Sequence, residues 1–304
     1  MPRPAIRSHR AIHWILDWDG TLTNHDTLGA LVNIAKDAKH VVGIQAKWQD
    51  LGRAYRQDHD AATTARDLPA TLLDERQLLR RLGEVEQKSV DRVVASGIFE
   101  GLRSGELQHG AVRAIASQDV QLRRGCLDFL SSIYSRIDAQ DTDLDAVDVL
   151  SVNWSQQFIA MCLNASNSAL TPNPQFDLRD TVNNHAKSGR PRLVSSDDKL
   201  YYLQRLRRTN PYTMKPIPIV YIGDGWMDLE CLLAADLGIC IRDTPMTSSQ
   251  QQLEGSLSRL NIHCPHVNDW DECDEWAIAW AQDFSEVNTW MGTMDTHTSP
   301  TGLQ

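Results

Sequence analysis

Long apolar runs are missing from this sequence, and none approaches the roughly 20 residues that a membrane-spanning helix needs. Residues 1–10 are basic, but no apolar stretch long enough for a signal peptide follows them. Cys-x-x-Cys pairs are missing too. The six scattered cysteines lie mostly in apolar runs, which favours reduced core thiols over disulfides or zinc ligands. We therefore expect a soluble, cytoplasmic protein.

Positive charge is scarce: the sequence has 30 Lys and Arg residues and 40 Asp and Glu residues, which gives a formal net charge of −10. This balance argues against a nucleic-acid backbone or an anionic membrane as the main partner. It leaves room for a small phosphorylated molecule, which local positive charge and a metal ion can hold. With 304 residues, 41% of them hydrophobic, the chain can bury the core of one large domain or two modest ones.

The stretch Asp17-Trp18-Asp19-Gly20-Thr21 directly follows an apolar run, residues 11–16, that is typical of one buried strand of a parallel sheet. Two carboxylates this close raise each other's pKa unless a positive charge, usually a metal ion, lies between them. Asp and Gly also form ordinary turns, so a solvated strand-to-turn junction explains the stretch equally well by itself. Partner segments further along the chain decide between the two interpretations.

Hydrophobic spacing predicts helices, without a convincing strand, from about residue 24 to 119. Strand-like runs then alternate with helical ones, at residues 146–152, 217–222 and 237–241, with a further candidate at 262–267. Alternating β and α elements predict an α/β fold, a Rossmann-like doubly wound parallel sheet with an inserted all-helical cap. We expect the catalytic core to comprise residues 1–23 and 120–287, the cap 24–119, and a loose tail 288–304.

Three later segments carry polar groups at a strand end or a helix start. Ser151 closes the strand at 146–152, Lys199 opens a helix, and Asp224 and Asp228 follow the strand at 217–222. In a doubly wound sheet, ligands bind at the carboxyl ends of the strands, so these residues can meet Asp17 although they are distant in sequence.

The residue types suit phosphoryl transfer through a carboxylate, which splits one difficult displacement into two easier ones. Asp17 would attack phosphorus, and Asp19 would serve as general acid and then as general base. A divalent cation and Lys199 would neutralise the charge between the carboxylate and the phosphate. Mg²⁺ prefers oxygen ligands, which Asp17, the Asp19 backbone carbonyl and Asp224 supply, with Asp228 bound directly or through water.

These segments resemble the four motifs of the haloacid dehalogenase superfamily. The resemblance implies a nucleophile at Asp17, an acid/base at Asp19, a hydroxyl at Ser151, a lysine at Lys199, and Mg²⁺ binding by the acidic fourth motif. The helical insert and the segment 122–127 resemble the branch that includes phosphoserine phosphatases, and the whole pattern is closest to uncharacterised fungal-type members. The phosphate- and substrate-binding residues predicted on this basis are Trp18, Ser151, Val152, Asn153 and Lys199.

Several alternatives stay open at this stage. Lys215 also precedes the fourth motif, although it lies too near the following strand to match the family's helix-borne lysine. Asp228 could face solvent. His25 and Asp26, just past the first motif, could meet substrate or form a hinge or helix cap. The tryptophans near the C-terminus could mark a partner surface, although core packing suits them better: Trp276, Trp280 and Trp290.

The sequence thus predicts Mg²⁺-dependent hydrolysis of a small phosphorylated metabolite through an aspartyl-phosphate, with cap closure setting specificity. A phosphomutase shares all four motifs and is an alternative. A non-catalytic binding or scaffold protein with this fold is another. A dehalogenase needs neither a metal nor a second acid in the first motif, so Asp19 argues against it. The substrate and the oligomeric state are left open.

Overall fold

The computed structural model describes Ile6 and residues 11–39, 43–63, 68–139, 145–168, 193–270 and 277–296. Its centre is a five-stranded sheet in the order β2-β1-β3-β4-β5, and every neighbouring pair is parallel. The strands are β1 (His13–Leu16), β2 (Ala146–Val149), β3 (Ile219–Gly223), β4 (Leu237–Ile241) and β5 (Ile278–Ala281).

Strand β1 lies between β2 and β3, with Leu16 opposite both Val149 and Ile222. The chain therefore crosses to one side of β1 for β2 and to the other side for β3, which makes β1 the point where the strand order reverses. Successive side chains of a strand point to opposite faces. Trp14 accordingly packs in the hydrophobic cluster on one face and Ile15 in the cluster on the other. The predicted doubly wound parallel sheet is confirmed.

Helices supply the remaining layers. In the described part of the chain they are α1 (Leu28–Lys39), α2 (Ile44–Thr63), α3 (Leu72–Ser96), α4 (Ser104–Ala116), α5 (Cys126–Ala139), α6 (Gln156–Ser168), α7 (Ser196–Leu206), α8 (Leu229–Ala234), α9 (Ser248–Arg259) and α10 (Phe284–Thr296). None of these described helices combines the length and apolarity that crossing a membrane requires. The first four lie within residues 24–119, so the predicted helical content of that insert is confirmed, while the division into cap and core stays a prediction.

The insert packs against both faces of the core. Leu31 of α1 and Ala111 of α4 join the cluster that contains Trp14, whereas Leu79 and Leu82 of α3 join the cluster on the opposite face. Helix α3 has a Thr71 side chain that accepts from the backbone N–H of residue 74, and it ends at Gly97 in the left-handed conformation. The insert is therefore packed against the core in two separate hydrophobic clusters.

A buried carboxylate in the first turn of α3 joins the insert to the core. Glu75 has no solvent exposure. It accepts hydrogen bonds from Trp226 Nε1 at 2.7 Å, Ser256 Oγ at 2.5 Å and Arg259 Nη2 at 3.2 Å. Because an unpaired buried charge is costly, these three donors are what allow Glu75 to lie there. Trp226 follows β3, so this contact ties the insert to the loop that carries Asp224 and Asp228.

The expected strand at 262–267 is wrong. The described chain has an irregular segment there, with a single bridge between His266 and Trp280, and the fifth strand is β5 at Ile278–Ala281. Pro265 lacks an N–H for a ladder bond, which explains why the apolar ends of this segment do not extend into a strand. Leu193 and Val194, before α7, are also irregular, and residues 191–192 lie outside the described residues.

The expected tail from residue 288 begins too early, because α10 continues to Thr296. Phe284, Val287, Trp290 and Met291 are buried and belong to the core cluster that contains Phe129. Their spacing of three, three and one residues puts them on one helix face. The abundance of Thr, Ser and Gly misled the sequence-based boundary, and residues 297–304 lie outside the described residues.

Replacement of Trp290 tests the docking of α10. Because Trp290 is 4% exposed, Trp290→Ala should lower the free energy of unfolding by about 3–5 kcal/mol through lost burial and a residual cavity. Thr289→Ala, on the exposed side of the same helix, is the control and should change stability by less than about 0.5 kcal/mol. Urea unfolding measures both, and equal values would show that α10 does not pack as described.

Candidate active site

The loop after β1 brings the first motif to the sheet edge. The Asp17 backbone N–H donates to the Ile222 carbonyl at 2.9 Å, which continues the β1–β3 ladder by one residue. Gly20 then adopts a φ of 76°, and a Cβ atom at this position would lie 2.5 Å from Asp224 Oδ2. Only glycine allows both this conformation and this approach. The glycine of the first motif therefore lets the fourth-motif carboxylate lie against the loop.

Arg123 holds this loop from outside the predicted motifs. Its buried guanidinium donates to the carbonyl oxygens of Gly20 at 2.6 Å and Thr21 at 3.0 Å, and to Asp243 Oδ1 at 2.6 Å. Paired with Arg123, Asp243 has a pKa below its usual value although partial burial opposes that shift. The segment 122–127 was noted only as resembling one family branch, and nothing in its spacing identifies Arg123 as a clamp.

A buried lysine lies between two carboxylates. Lys199 Nζ, on α7, donates to Asp17 Oδ1 at 2.9 Å and to Asp228 Oδ1 at 2.7 Å. Burial alone would lower the pKa of Lys199, but the adjacent Asp17 and Asp228 raise it above its usual range, so the ammonium stays charged. Asp228 also accepts from the Tyr221 hydroxyl at 2.6 Å and from the Gly225 N–H at 3.0 Å.

Three buried carboxylates form one cluster. Asp17, Asp224 and Asp228 each offer an oxygen, and these atoms all lie within 4.8 Å of one another. Burial, with repulsion from Asp228, raises the pKa of Asp224 to about 7. Burial also raises the pKa of Asp17 well above its usual range, and repulsion from Asp228 and Asp224 adds to this while Lys199 opposes it. Fully ionised, the three carboxylates would carry more negative charge than one lysine neutralises.

A divalent cation fits this cluster. All three candidate ligands are carboxylate oxygens, the donor type that Mg²⁺ prefers, and a Mg²⁺ ion would offset the two charges that Lys199 leaves uncompensated. Asp224 is fixed by the Thr21 hydroxyl at 3.1 Å, and Gly223 allows Asp228 to approach, because a Cβ there would lie 2.5 Å from Asp228 Cγ. Asp17, Asp224 and Asp228 are thus the side chains that would hold the ion, and the Asp19 backbone carbonyl stays a predicted ligand.

Asp19 is kept separate from that cluster by its own partners. Its Oδ1 accepts from the Thr27 N–H and the Thr27 hydroxyl, both at 2.7 Å, and its Oδ2 accepts from Asn153 Nδ2 at 2.9 Å. A carboxylate has about four acceptor positions, so one remains on Oδ2. Burial raises the pKa of Asp19 to about 6, with a smaller contribution from Asp26, while the Thr27 and Asn153 hydrogen bonds oppose the rise.

The Thr27 hydroxyl connects the parts of this second group. It donates to Asp19 and accepts from Trp18 Nε1 at 2.9 Å and from Asn153 Nδ2 at 3.1 Å, which uses its full hydrogen-bonding capacity. Thr27 directly precedes α1, where the sequence suggested only a helix cap. Its role in orienting Asp19 was missed, and the nearby carboxylates were the only signal in the sequence.

The predicted phosphate-binding residues lie at the same sheet edge. Ser151 is buried beyond β2, and its hydroxyl accepts from the Asn153 N–H at 3.1 Å. Val152 is half-buried between them. The Trp18 ring and the Asn153 amide are engaged with Thr27 and Asp19, so in this structure their side chains orient the acid. Direct contact of these residues with a phosphate stays a prediction.

The structure distinguishes between the two interpretations of several residues near the site. Lys215 is exposed, so Lys199 is the lysine of the site. Asp228 is 1% exposed and faces the cluster, not solvent. Asp26 accepts from the Leu28 N–H at 2.7 Å and thus caps α1, while the His25 carbonyl accepts from the Thr23 hydroxyl at 2.8 Å.

Among the C-terminal tryptophans, Trp290 is buried in the core and Trp280 is half-buried on β5, while Trp276 lies outside the described residues. The cysteines of the described chain are free thiols, four of them buried: Cys126, Cys162, Cys231, Cys240 and Cys264. Cys273 lies outside the described residues.

Comparison with known proteins gives matches along most of the chain, although no family model matches it. A CTO1 family protein of Schizosaccharomyces pombe is 27% identical over 258 residues, which are 81% of this chain and 85% of that protein. Two solved structures are also similar to this chain along most of its length. A phosphoserine phosphohydrolase-like protein from Francisella tularensis is 12% identical, with a TM-score of 0.47, over 92% of this chain and 98% of its own. The magnesium-bound HAD-hydrolase YfnB of Bacillus subtilis is 11% identical, with a TM-score of 0.40, over 93% of this chain and 99% of its own.

Two substitutions of Thr27 test its connecting role. Thr27→Val keeps the shape but leaves the Trp18 N–H, which is fully buried, without its acceptor, and an orphaned buried group costs about 1–3 kcal/mol. Asp19 also loses a donor, so we expect a total loss of at least about 2 kcal/mol in urea unfolding. Thr27→Ser keeps the hydroxyl and should cost about 1 kcal/mol for the lost methyl group. Equal losses would mean that the hydroxyl does not connect these residues.

Proposed function

We propose that the protein is a Mg²⁺-dependent phosphatase that hydrolyses a small phosphomonoester through a phosphorylated Asp17. The observation that carries this proposal is the buried contact of Lys199 with Asp17 and Asp228 beside Asp224, at the carboxyl edge of a parallel sheet. A buried cluster of this charge has little value for stability, since ion pairs in a core seldom recover their desolvation cost. It is well suited to neutralise an incoming phosphate together with a cation.

The first step is attack by Asp17 on phosphorus. Lys199 holds Asp17 Oδ1 at 2.9 Å, which fixes the direction of the carboxylate and leaves its other oxygen for the attack. Bound Mg²⁺ would supply charge neutralisation between the carboxylate and the phosphate oxygens. A bond forms between Asp17 and phosphorus, and the bond from phosphorus to the alcohol oxygen breaks.

Asp19 supplies the protons. Thr27 and Asn153 fix its carboxyl group and leave one acceptor position on Oδ2, and a pKa of about 6 suits proton transfer near neutrality. In the first step Asp19 gives its proton to the leaving alcohol oxygen. In the second step its carboxylate takes a proton from water, the water oxygen forms a bond to phosphorus, and the bond from Asp17 to phosphorus breaks. Inorganic phosphate is then released and Asp17 is free again. A dehalogenase does not need such an acid, so the three hydrogen bonds that fix the Asp19 carboxyl group favour the phosphatase.

Asp17→Asn tests the nucleophile. The amide cannot form the acyl-phosphate, so turnover of phosphomonoesters should fall to background, and acid quenching should recover labelled phospho-enzyme from the parent but not from the variant. Folding should persist, because the variant removes a carboxylate whose ionised form burial disfavours. Asp37→Asn, on the exposed side of the insert, is the matched control and should keep parental activity. Comparable turnover in Asp17→Asn would refute the assignment.

Removal of the metal tests the cluster. Excess chelator should abolish activity, and Ca²⁺ should inhibit, because it takes more ligands at longer distances than Mg²⁺ and can draw both oxygens of Asp17. Calorimetric titration should show at least tenfold weaker Mg²⁺ binding in Asp224→Asn, which loses a cluster ligand. Asp19→Asn should weaken Mg²⁺ binding less than Asp224→Asn does, because the Asp19 side chain is held by Thr27 and Asn153 and is not a ligand in the cluster. Full activity in chelator would contradict the metal assignment.

A further inference from the structure

A cavity of about 750 Å³ lies where α1, α3 and α4 of the insert meet the loop after β2. Most of its wall is apolar or aromatic, and the polar side chains on it are Glu100, Ser155, Gln156 and Gln157. The apolar side chains include Leu31, Val93, Val94, Phe99, Leu107 and Trp154. Sites for small molecules have volumes of about 300–1,000 Å³ and this same composition, an apolar wall with a few polar groups.

Two parts of the cavity wall are connected through the backbone to the residues that orient Asp19. Trp154 directly follows Asn153, whose amide donates to Asp19 at 2.9 Å, and the Ser155 N–H donates to Asn153 Oδ1 at 3.2 Å. Leu31 lies one helical turn after Thr27 and donates its N–H to the Thr27 carbonyl at 3.2 Å. The cavity wall thus begins one residue from Asn153 and one helical turn from Thr27, the two residues that hold Asp19.

A proton donor must be within hydrogen-bond reach of the oxygen that leaves. The alcohol part of the substrate therefore extends from Asp19, and this partly open cavity offers space for it. Phe99 and Trp154 are in mutual contact on its wall, with ring centroids 5.8 Å apart and planes tilted by 38°. Aromatic rings of this kind bind other rings well. They offer few partners for hydroxyl groups or charges, which lose free energy when they are buried unpaired.

We infer that this cavity binds the alcohol part of the phosphomonoester, and that this part is an aromatic or similarly apolar ring system. The inference rests on the proposed phosphatase function and adds a substrate class to it. The buried carboxylates and Lys199 recognise the phosphate, and the insert selects the ring.

Two primary alkyl phosphates of similar reactivity test the class: 2-phenylethyl phosphate and 2-hydroxyethyl phosphate. In an apolar site, each added carbon group contributes about tenfold or more to selectivity. We therefore expect kcat/KM of the parent protein to be at least tenfold higher for the phenyl ester. Equal values, or a preference for the hydroxyl ester, would overturn the inference while leaving the phosphatase function intact.

Val94→Trp tests the location. Val94 is 52% exposed and lines the cavity, so the larger side chain can enter the cavity without disturbing the core. We expect kcat/KM for 2-phenylethyl phosphate to fall at least tenfold, and that for 2-hydroxyethyl phosphate to change less than threefold. Val112→Trp is the matched control, because Val112 is 51% exposed on α4 of the same insert but is not part of the cavity wall. Equal effects of both variants would overturn the location.

Binding of 2-phenylethanol, followed by saturation-transfer NMR, needs neither metal nor turnover. The parent and Val112→Trp should bind it, and the saturation-transfer signal of the alcohol should be largely lost with Val94→Trp. If the parent hydrolysed neither ester but bound this alcohol only with Val94 intact, the phosphatase proposal would fail and the apolar specificity of the cavity would stand. Undetectable binding to the parent at millimolar alcohol would overturn the specificity.

Discussion

The carboxylates of Asp17, Asp224 and Asp228 lie within 4.8 Å of one another in a buried site, and compensation of their charge is the constraint on which the site depends. Lys199 supplies one positive charge between Asp17 and Asp228. The elements that carry these four residues, β1, β3 and α7, must therefore meet closely. Burial, together with repulsion among the carboxylates, raises the pKa of Asp17 and Asp224. In the proposed function a cation would offset the remaining negative charge and, with Lys199, attract a phosphate.

The helical insert is hydrogen-bonded to this centre at two places. Glu75 at the start of α3 is hydrogen-bonded to Trp226, which lies between Asp224 and Asp228 in the chain. Thr27 at the start of α1 holds Asp19. The hydrogen bonds of Glu75 and Thr27 are at the first turns of α3 and α1. If the insert closes over a substrate and keeps these hydrogen bonds, the C-terminal ends of the two helices must move. The wall of the cavity near Val94 belongs to such a distal end, since α3 ends at Ser96.

The sequence was sufficient for strands β1 to β4 and for the charged residues of the site, because parallel strands bring their carboxyl ends to one edge whatever their separation in the chain. Asp17, Lys199 and Asp224 were found in this way. Residues that act only through hydrogen bonds were not found: Thr27, Tyr221 and Arg123 have ordinary surroundings in sequence, and their partners depend on positions in space. Strand β5 was missed because four residues give too short a pattern, and residues 262–267 looked more strand-like.

In the proposed function, different parts of the molecule recognise the phosphate and the alcohol. The carboxylates and Lys199 follow strands or open a core helix, and they would bind the phosphate, which all phosphomonoesters share. The cavity wall comes from α1, α3, α4 and the loop after β2, and it contains none of the three cluster carboxylates. Substitutions in that wall can therefore alter the size or polarity of the accepted alcohol without changing the charge balance at the sheet edge. Asn153 and Trp154 are adjacent in the chain. A substitution of Trp154 that changes specificity could therefore also shift Asn153 and, through it, Asp19.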